Sequence, residues 1–332
     1  MKTLKISFLQ STPDFGREGM LQLLKSRHHV VEDDSDFDYL VATPWFYVTR
    51  EAFYDFLERA PGHITVMYGC HEAIAPDFML FDYYIGLDTV PGSDRTVKLP
   101  YLRHHLQEVH GGKEGLDAHA LLASKTGFCN FIYANRKSHP NRDAMFYKLS
   151  AFRFVNSLGP HLNNTPGDGH RAEDWYASSI RMKKPYKFSI AFENAWYPGY
   201  TSEKIVTSML AGTIPIYWGN PDISREFNSA SFINCHDFPT LDDAAAYVQK
   251  VDEDDSLWCE IMSRPWKTPE QEARFLEETE RETAKLYKIF DQSPEEARRK
   301  GDGTWVSYYQ RFLKRGHRMQ LAWRRLKNRL RR

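Results

Sequence analysis

Short apolar runs separated by polar segments mark the first third of the chain, at residues 4–10, 38–43, 63–69 and 81–87. Runs of this length bounded by turn residues read as buried strands. Arg17 to Lys25 reads as a helix between the first two, and such alternation predicts a parallel, doubly wound sheet. A polar passage from His104 through Gly111-Gly112-Lys113-Glu114-Gly115 marks a boundary. Beyond it the pattern predicts a strand from Phe128 to Ala134, a helix from Arg142, capped by Asn141, to Asn156, and a Gly/Pro/Asn-rich loop from Gly159 to His170. A buried strand carrying Phe188, Ile190 and Phe192 then delivers Glu193 and Asn194 to its carboxyl end. A loop with Pro198 and Gly199 leads into a helix opening on Thr201, Ser202, Glu203 and Lys204, and the strand Ile214-Pro215-Ile216-Tyr217-Trp218 follows. Helices are expected at Leu241–Val251, Ser256–Ser263 and Pro269–Phe290. The resulting division is 1–122, 123–300 and a tail at 301–332, with no internal repeat.

The 332 residues are 42% hydrophobic and 27% charged, values of a soluble globular protein with room for two domains. Net charge is zero, but from Gly303 to Arg332 there are ten basic residues and no acid. No run approaches the roughly 18 apolar residues of a spanning helix, and Leu4 to Leu9 reads as a strand in place of a signal-peptide core. A cytosolic or membrane-peripheral protein is expected. Cys70, Cys129, Cys235 and Cys259 are widely spaced, which favours reduced thiols over a disulfide or zinc framework.

The chemistry concentrates between Glu193 and Lys204. A helix start offers unpaired N–H groups and partial positive charge, and Lys204 adds a full charge, so a phosphate or diphosphate is the natural guest. Glu203 beside it suits ribose hydroxyls, which makes a nucleotide the better candidate.

The same segment resembles glycosyltransferase family 10, the α-1,3/1,4-fucosyltransferases. The likeness rests on Phe192-Glu193-Asn194, a tyrosine-containing loop, Glu203-Lys204-Ile205 and Ile214 to Gly219. It continues through Pro221, Phe227-Asn228 and Ser231-Phe232-Ile233-Asn234 to Asp237-Phe238, and reaches upstream to Asn141-Arg142-Asp143-Ala144 and the Tyr68 to Asp88 region. The resemblance implies the GT-B fold: α/β, two Rossmann-like domains facing a cleft, an N-terminal one for the acceptor and a C-terminal one for GDP-fucose. It implies an inverting transfer of fucose to an N-acetylglucosamine-type hydroxyl of an oligosaccharide or lipopolysaccharide acceptor. Glu72 falls in the place of the catalytic base, just after a strand and ahead of Leu80-Phe81-Asp82-Tyr83, with His71 as a second candidate. Arg142 and Lys204 match the cations on the diphosphate, and Tyr200 and Glu203 the positions that hold the nucleoside. Glu193 and Asn194 either bond the donor or tie the loop together. No cofactor or metal is required on this reading, although a divalent ion can stimulate. Ala195-Trp196-Tyr197-Pro198 enlarges the family's usual loop, and Ser202 stands in a threonine place.

Other patterns carry less. Asp34-Ser35-Asp36 and Asp36-Phe37-Asp38 satisfy D-x-D but precede a strand, where a metal motif should follow one, and read as an acidic turn. Gly167-Asp168-Gly169 with Ala172 follows loop and not strand, and the pairs His28-His29 and His104-His105 lack further ligands. In the tail, Met319, Ala322, Trp323, Leu326 and Leu330 share one helical face among the basic residues, which suits an anionic membrane surface or a packed helix. No stacking or RNA-binding motif accompanies that charge, so nucleic acid is not expected.

Overall fold

The computed structural model describes residues 2–9, 17–48, 50–69, 72–88, 90–99, 115–166, 174–301 and 303–329. Two compact units result, one made of residues 1–101 with 280–332 and one of 102–279. Residues 280–300, read from the sequence as the end of the second unit, therefore belong with the first, as does the tail. The physical reason is a single helix, Pro269–Asp291, that starts in one unit and finishes in the other.

In the first unit β1 (Thr3–Leu9), β2 (His29–Glu32), β3 (Tyr39–Ala42), β4 (Ile64–Tyr68), β5 (Tyr83–Gly86) and β6 (Thr96–Lys98) form one sheet in the order β2-β1-β3-β4-β5-β6, and every pairing is parallel. Alternation along β4 explains its two apolar faces. Ile64, Val66 and Tyr68 join a core that includes Leu286, Ile289 and Phe290, while Met67 joins a second core with Phe46, Phe53, Phe56 and Phe81. Tyr309 and Leu313, on the tail helix Thr304–Arg329, pack against that second core.

The second unit holds β7 (Gly127–Phe131), β8 (Val155–Ser157), β9 (Tyr186–Phe192), β10 (Ile214–Trp218) and β11 (Ile233–Asn234), all parallel, in the order β11-β10-β9-β7-β8. The chain leaves β7 for one edge of the sheet and returns on its other side as β9. The carboxyl ends of β7 and β9 thus flank a topological switch point, where open parallel sheets leave a crevice for ligands. Phe188, Ile190 and Phe192 face the main core with Ile214, Ile216, Val248 and Trp258. On the opposite face Ser189 bonds Asn130 at 2.9 Å and Ser208 at 3.1 Å, which fastens the helix Glu203–Leu210 to the sheet.

Two expectations change here. The helix after β7 runs Asn141–Phe152 and stops there because Arg153 turns extended and Val155 enters β8. Pro140, not Asn141, occupies its cap position.

Candidate active site

The two residues that follow β9 each hold a cation. After β9, the Glu193 N–H still donates to the Trp218 carbonyl at 2.8 Å, but its side chain turns inward and is fully buried. One carboxylate oxygen accepts the Ser202 N–H at 2.7 Å, and the other accepts the Ser202 hydroxyl at 2.6 Å and the Lys204 ammonium at 3.1 Å. Lys204 also donates to Ser202 Oγ at 2.8 Å and lies 3.7 Å from Glu203. Gly219 makes this possible. Its φ is +150°, and a Cβ there would sit 2.4 Å from Cγ and 2.5 Å from Cβ of Glu193. Any side chain would displace the carboxylate.

Asn194 performs the matching task on the other side. Its side-chain oxygen accepts from Arg142 Nη1 at 3.2 Å and its carbonyl from the His139 N–H at 2.8 Å. Arg142 is itself fully buried, lies 4.2 Å from the Tyr133 ring centre and donates to the Asn135 carbonyl. Among the described residues its Nε has no hydrogen-bond partner. Asp143 lies 3.8 Å from that Nε and accepts from His161 at 2.9 Å. The adjacent residues Glu193 and Asn194 therefore suspend Lys204 and Arg142 from one dipeptide.

Burial and the neighbouring charges pull the site's ionisable groups in opposite directions. Burial alone lowers the Lys204 ammonium, yet Glu193 and Glu203 outweigh it and hold the group well above the usual lysine range. Burial pushes the Glu193 carboxyl up, and Lys204 and the two Ser202 donors oppose that shift. Burial lowers Arg142, partly offset by Tyr133 and Asp143. Below the helix the buried Lys183 donates to Thr207 Oγ at 2.5 Å, and burial moves its ammonium down to about 7.

Of the residues expected from sequence, Arg142, Glu193, Asn194, Tyr200, Glu203 and Lys204 lie in the second unit. The first three and Lys204 are joined by the bonds above. Glu193 bonds Ser202 and Lys204. Tyr200 is buried, with its carbonyl 3.4 Å from the Tyr217 hydroxyl, and Glu203 begins the helix. Glu72 lies in the first unit four residues beyond β4, its N–H bonded to the Gly69 carbonyl at 3.0 Å; His71 falls outside the described residues.

Sequence reasoning missed Asn220, which is fully buried. Its side chain accepts from the Gly199 N–H at 2.8 Å and donates to Thr201 Oγ at 3.0 Å, clamping the loop that leads to Lys204. It also missed an aromatic array. The His139 ring packs tilted at 34° on Trp218 with ring centres 4.4 Å apart, and His236 stacks on the same indole at 5.9 Å while its Nε2 accepts the Gly219 N–H. Burial lowers the His236 imidazole, consistent with a neutral acceptor. The only sequence signal for Asn220 was a polar residue just beyond an apolar strand.

The D-x-D turn is held by protein groups. Asp36 pairs with Lys5 at 2.5 Å and Asp34 with Arg59 at 3.2 Å.

An all-parallel sheet with a switch point between β7 and β9 is one half of a GT-B fold. A solved α1,3-fucosyltransferase structure with GDP-fucose superposes with a TM-score of 0.64 at 23% identity, over 85% of this chain and 91% of that one. The profile of the glycosyltransferase family 10 (fucosyltransferase) C-terminal region matches residues 122–298, and the chain belongs to this family. An alpha-(1,3)-fucosyltransferase of Helicobacter pylori is 29% identical over 238 residues, covering 62% of this chain and 48% of that protein. An alpha-(1,4)-fucosyltransferase of Arabidopsis thaliana is 26% identical over 226 residues, covering 57% and 55%. The chain thus spans about half the length of these two relatives.

Proposed function

We propose that this protein is an inverting fucosyltransferase that moves L-fucose from GDP-fucose to an N-acetylglucosamine-type hydroxyl of an oligosaccharide or lipopolysaccharide acceptor, through an α-1,3 or α-1,4 linkage. The observation that carries the reading is the suspension of Arg142 and Lys204 from Glu193-Asn194 at the switch point of the second sheet. Charge develops on the diphosphate as the bond to fucose breaks, and fixed cations stabilise that charge more than they stabilise the bound donor. In the balanced step the acceptor oxygen bonds to the anomeric carbon and its proton passes to Glu72. The electron pair of the breaking C–O bond departs with GDP. Glu203 and Tyr200 hold the nucleoside. The first unit binds the acceptor and the second the donor. Two protein cations supply the charge that a divalent ion otherwise brings, so no metal is required and chelation leaves turnover in place.

The tail helix supports a peripheral site of action on an anionic cytoplasmic surface. It exposes Trp305, Phe312 and Trp323 at 78%, 71% and 71%, the last two beside basic residues. Among the described residues no helix is long and apolar enough to cross a membrane.

Donor trials with GDP-fucose, GDP-mannose and UDP sugars test the activity, and turnover restricted to another donor overturns it. Glu72→Gln keeps the shape of the group but takes no proton. It is expected to bind GDP-fucose as the wild type does and to lose about 100-fold or more in transfer. Retention of more than about a tenth of the rate, set against the usual worth of a general base, moves the role elsewhere.

A further inference from the structure

The loop from Ile132 to Asn141 carries Arg136, Lys137 and His139 ahead of Arg142 and contains no acid. His139 is exposed, and three contacts fix it beside the Arg142 backbone. Its N–H donates to the Asn194 carbonyl, its own carbonyl accepts the Arg142 N–H at 3.2 Å, and its ring lies on Trp218. The ring orientation is further set by Nδ1, which accepts the Asn141 N–H at 3.3 Å. An imidazole nitrogen that accepts has no hydrogen, so in the neutral ring the proton sits on Nε2 and makes it the donor. A tilted indole contact and a backbone bond thus hold a single N–H donor on a residue whose backbone is bonded to Arg142 and Asn194, outside the fully buried network of Glu193.

We propose that His139 is a third contact to the leaving diphosphate, donating its Nε2–H to a phosphate oxygen beside Arg142. The inference rests on the nucleotide-sugar reading above and extends it to a residue outside the Glu193–Lys204 segment. No proton is transferred in this contact. The hydrogen bond strengthens as the electron pair of the broken bond settles on the diphosphate, so the group acts on turnover more than on donor binding.

Two variants separate the donor from the ring. His139→Phe keeps an aromatic surface on Trp218 and removes the N–H, whereas His139→Gln removes the ring and returns an amide N–H at similar reach. GDP titration by calorimetry and steady-state transfer from GDP-fucose are measured on each, with thermal unfolding as a check of fold. His139→Phe is expected to lower kcat and GDP affinity by about tenfold or more, the usual worth of a hydrogen bond to a charged group, with a smaller change in the KM for GDP-fucose. His139→Gln is expected to recover most of both. Wild-type kcat and GDP affinity in His139→Phe overturn the proposal. A His139→Gln protein as impaired as His139→Phe also overturns it, since the ring and not the donor is then what matters. If Phe at this position prevents folding, His139→Asn, whose amide is too short to reach, takes its place with the same expectation. A wild type that binds GDP but transfers no fucose sinks the fucosyltransferase reading while the titrations still decide His139; one that binds no GDP sinks both.

Discussion

Asp82 in the first unit and Glu193 in the second are both fully buried carboxylates that accept backbone N–H bonds, and they are put to different uses. Asp82 accepts the N–H and hydroxyl of Thr65 at 2.7 and 2.8 Å, and the N–H groups of Arg299 and Lys300 at 2.7 and 2.5 Å. Its donors are backbone groups and one hydroxyl, and they fasten residues 299–300 to the sheet. Glu193 spends two of its bonds on Ser202 and the third on an ammonium. The first carboxylate closes a fold. The second aims a charge, and the comparison predicts that losing the first damages stability and losing the partner of the second damages chemistry.

Removing Asp82 gives the largest effect. Asp82→Ala strands three backbone N–H groups in the interior and is expected to lower the unfolding free energy by about 3 to 5 kcal/mol, read from urea titration. GDP affinity of the folded fraction should stay at the wild-type level. Loss of GDP affinity with unchanged stability breaks the comparison from this side.

The cations come next. Lys204→Ala and Arg142→Ala are each expected to raise the barrier to transfer by about 2 to 4 kcal/mol, comparable to removing a transition-state donor, and to weaken GDP binding. Steady-state kinetics and calorimetry check this, and wild-type values in both variants withdraw the assignment.

Lys183 sharpens the contrast because it is a buried charge with neither use. Its ammonium is lowered from an ordinary 10.5 to about 7, so the unfolded chain binds more protons than the native one between those values. The stability contribution of the group is therefore present in full above 10.5 and lost as pH falls to about 7. Measured against Lys183→Met, wild-type stability should rise as pH climbs through that window. A pH-independent difference between the two proteins removes Lys183 from the account.

The smallest expected effect on catalysis belongs to the tail. Cutting after Lys314 spares Tyr309 and Leu313, the residues packed on the first unit. Activity on a soluble acceptor should persist, while binding to anionic vesicles, screened over about 10 Å at 0.1 M salt, should disappear. If the cut abolishes folding, and the full chain ignores such vesicles, the helix is structural along its length.

The two carboxylates also show what a sequence can reveal. The apolar runs of β1, β3, β4 and β9 were legible because each is at least four residues long and bounded by polar turns. β6, β8 and β11, at three, three and two residues, are too short to show a period and exist because a neighbouring strand offers them a parallel edge. Lys204, Arg142, Glu193 and Asn194 were legible through their local context. Asn220 and His139 were not, since their partners lie 21 and 79 positions away along the chain. Nothing in a continuous helical pattern from Pro269 onward announces that the chain changes units partway along it.

That crossing helix sets an order of assembly during synthesis. Residues 102–279 form a contiguous unit and are all delivered before the ribosome reaches the remainder of the first. The first sheet must wait for Leu286, Ile289 and Phe290 to complete its core and for Arg299 and Lys300 to satisfy Asp82. At ordinary elongation rates the interval is on the order of seconds. During it the nascent chain holds a finished second unit and an unfinished sheet whose apolar face lacks its last partners.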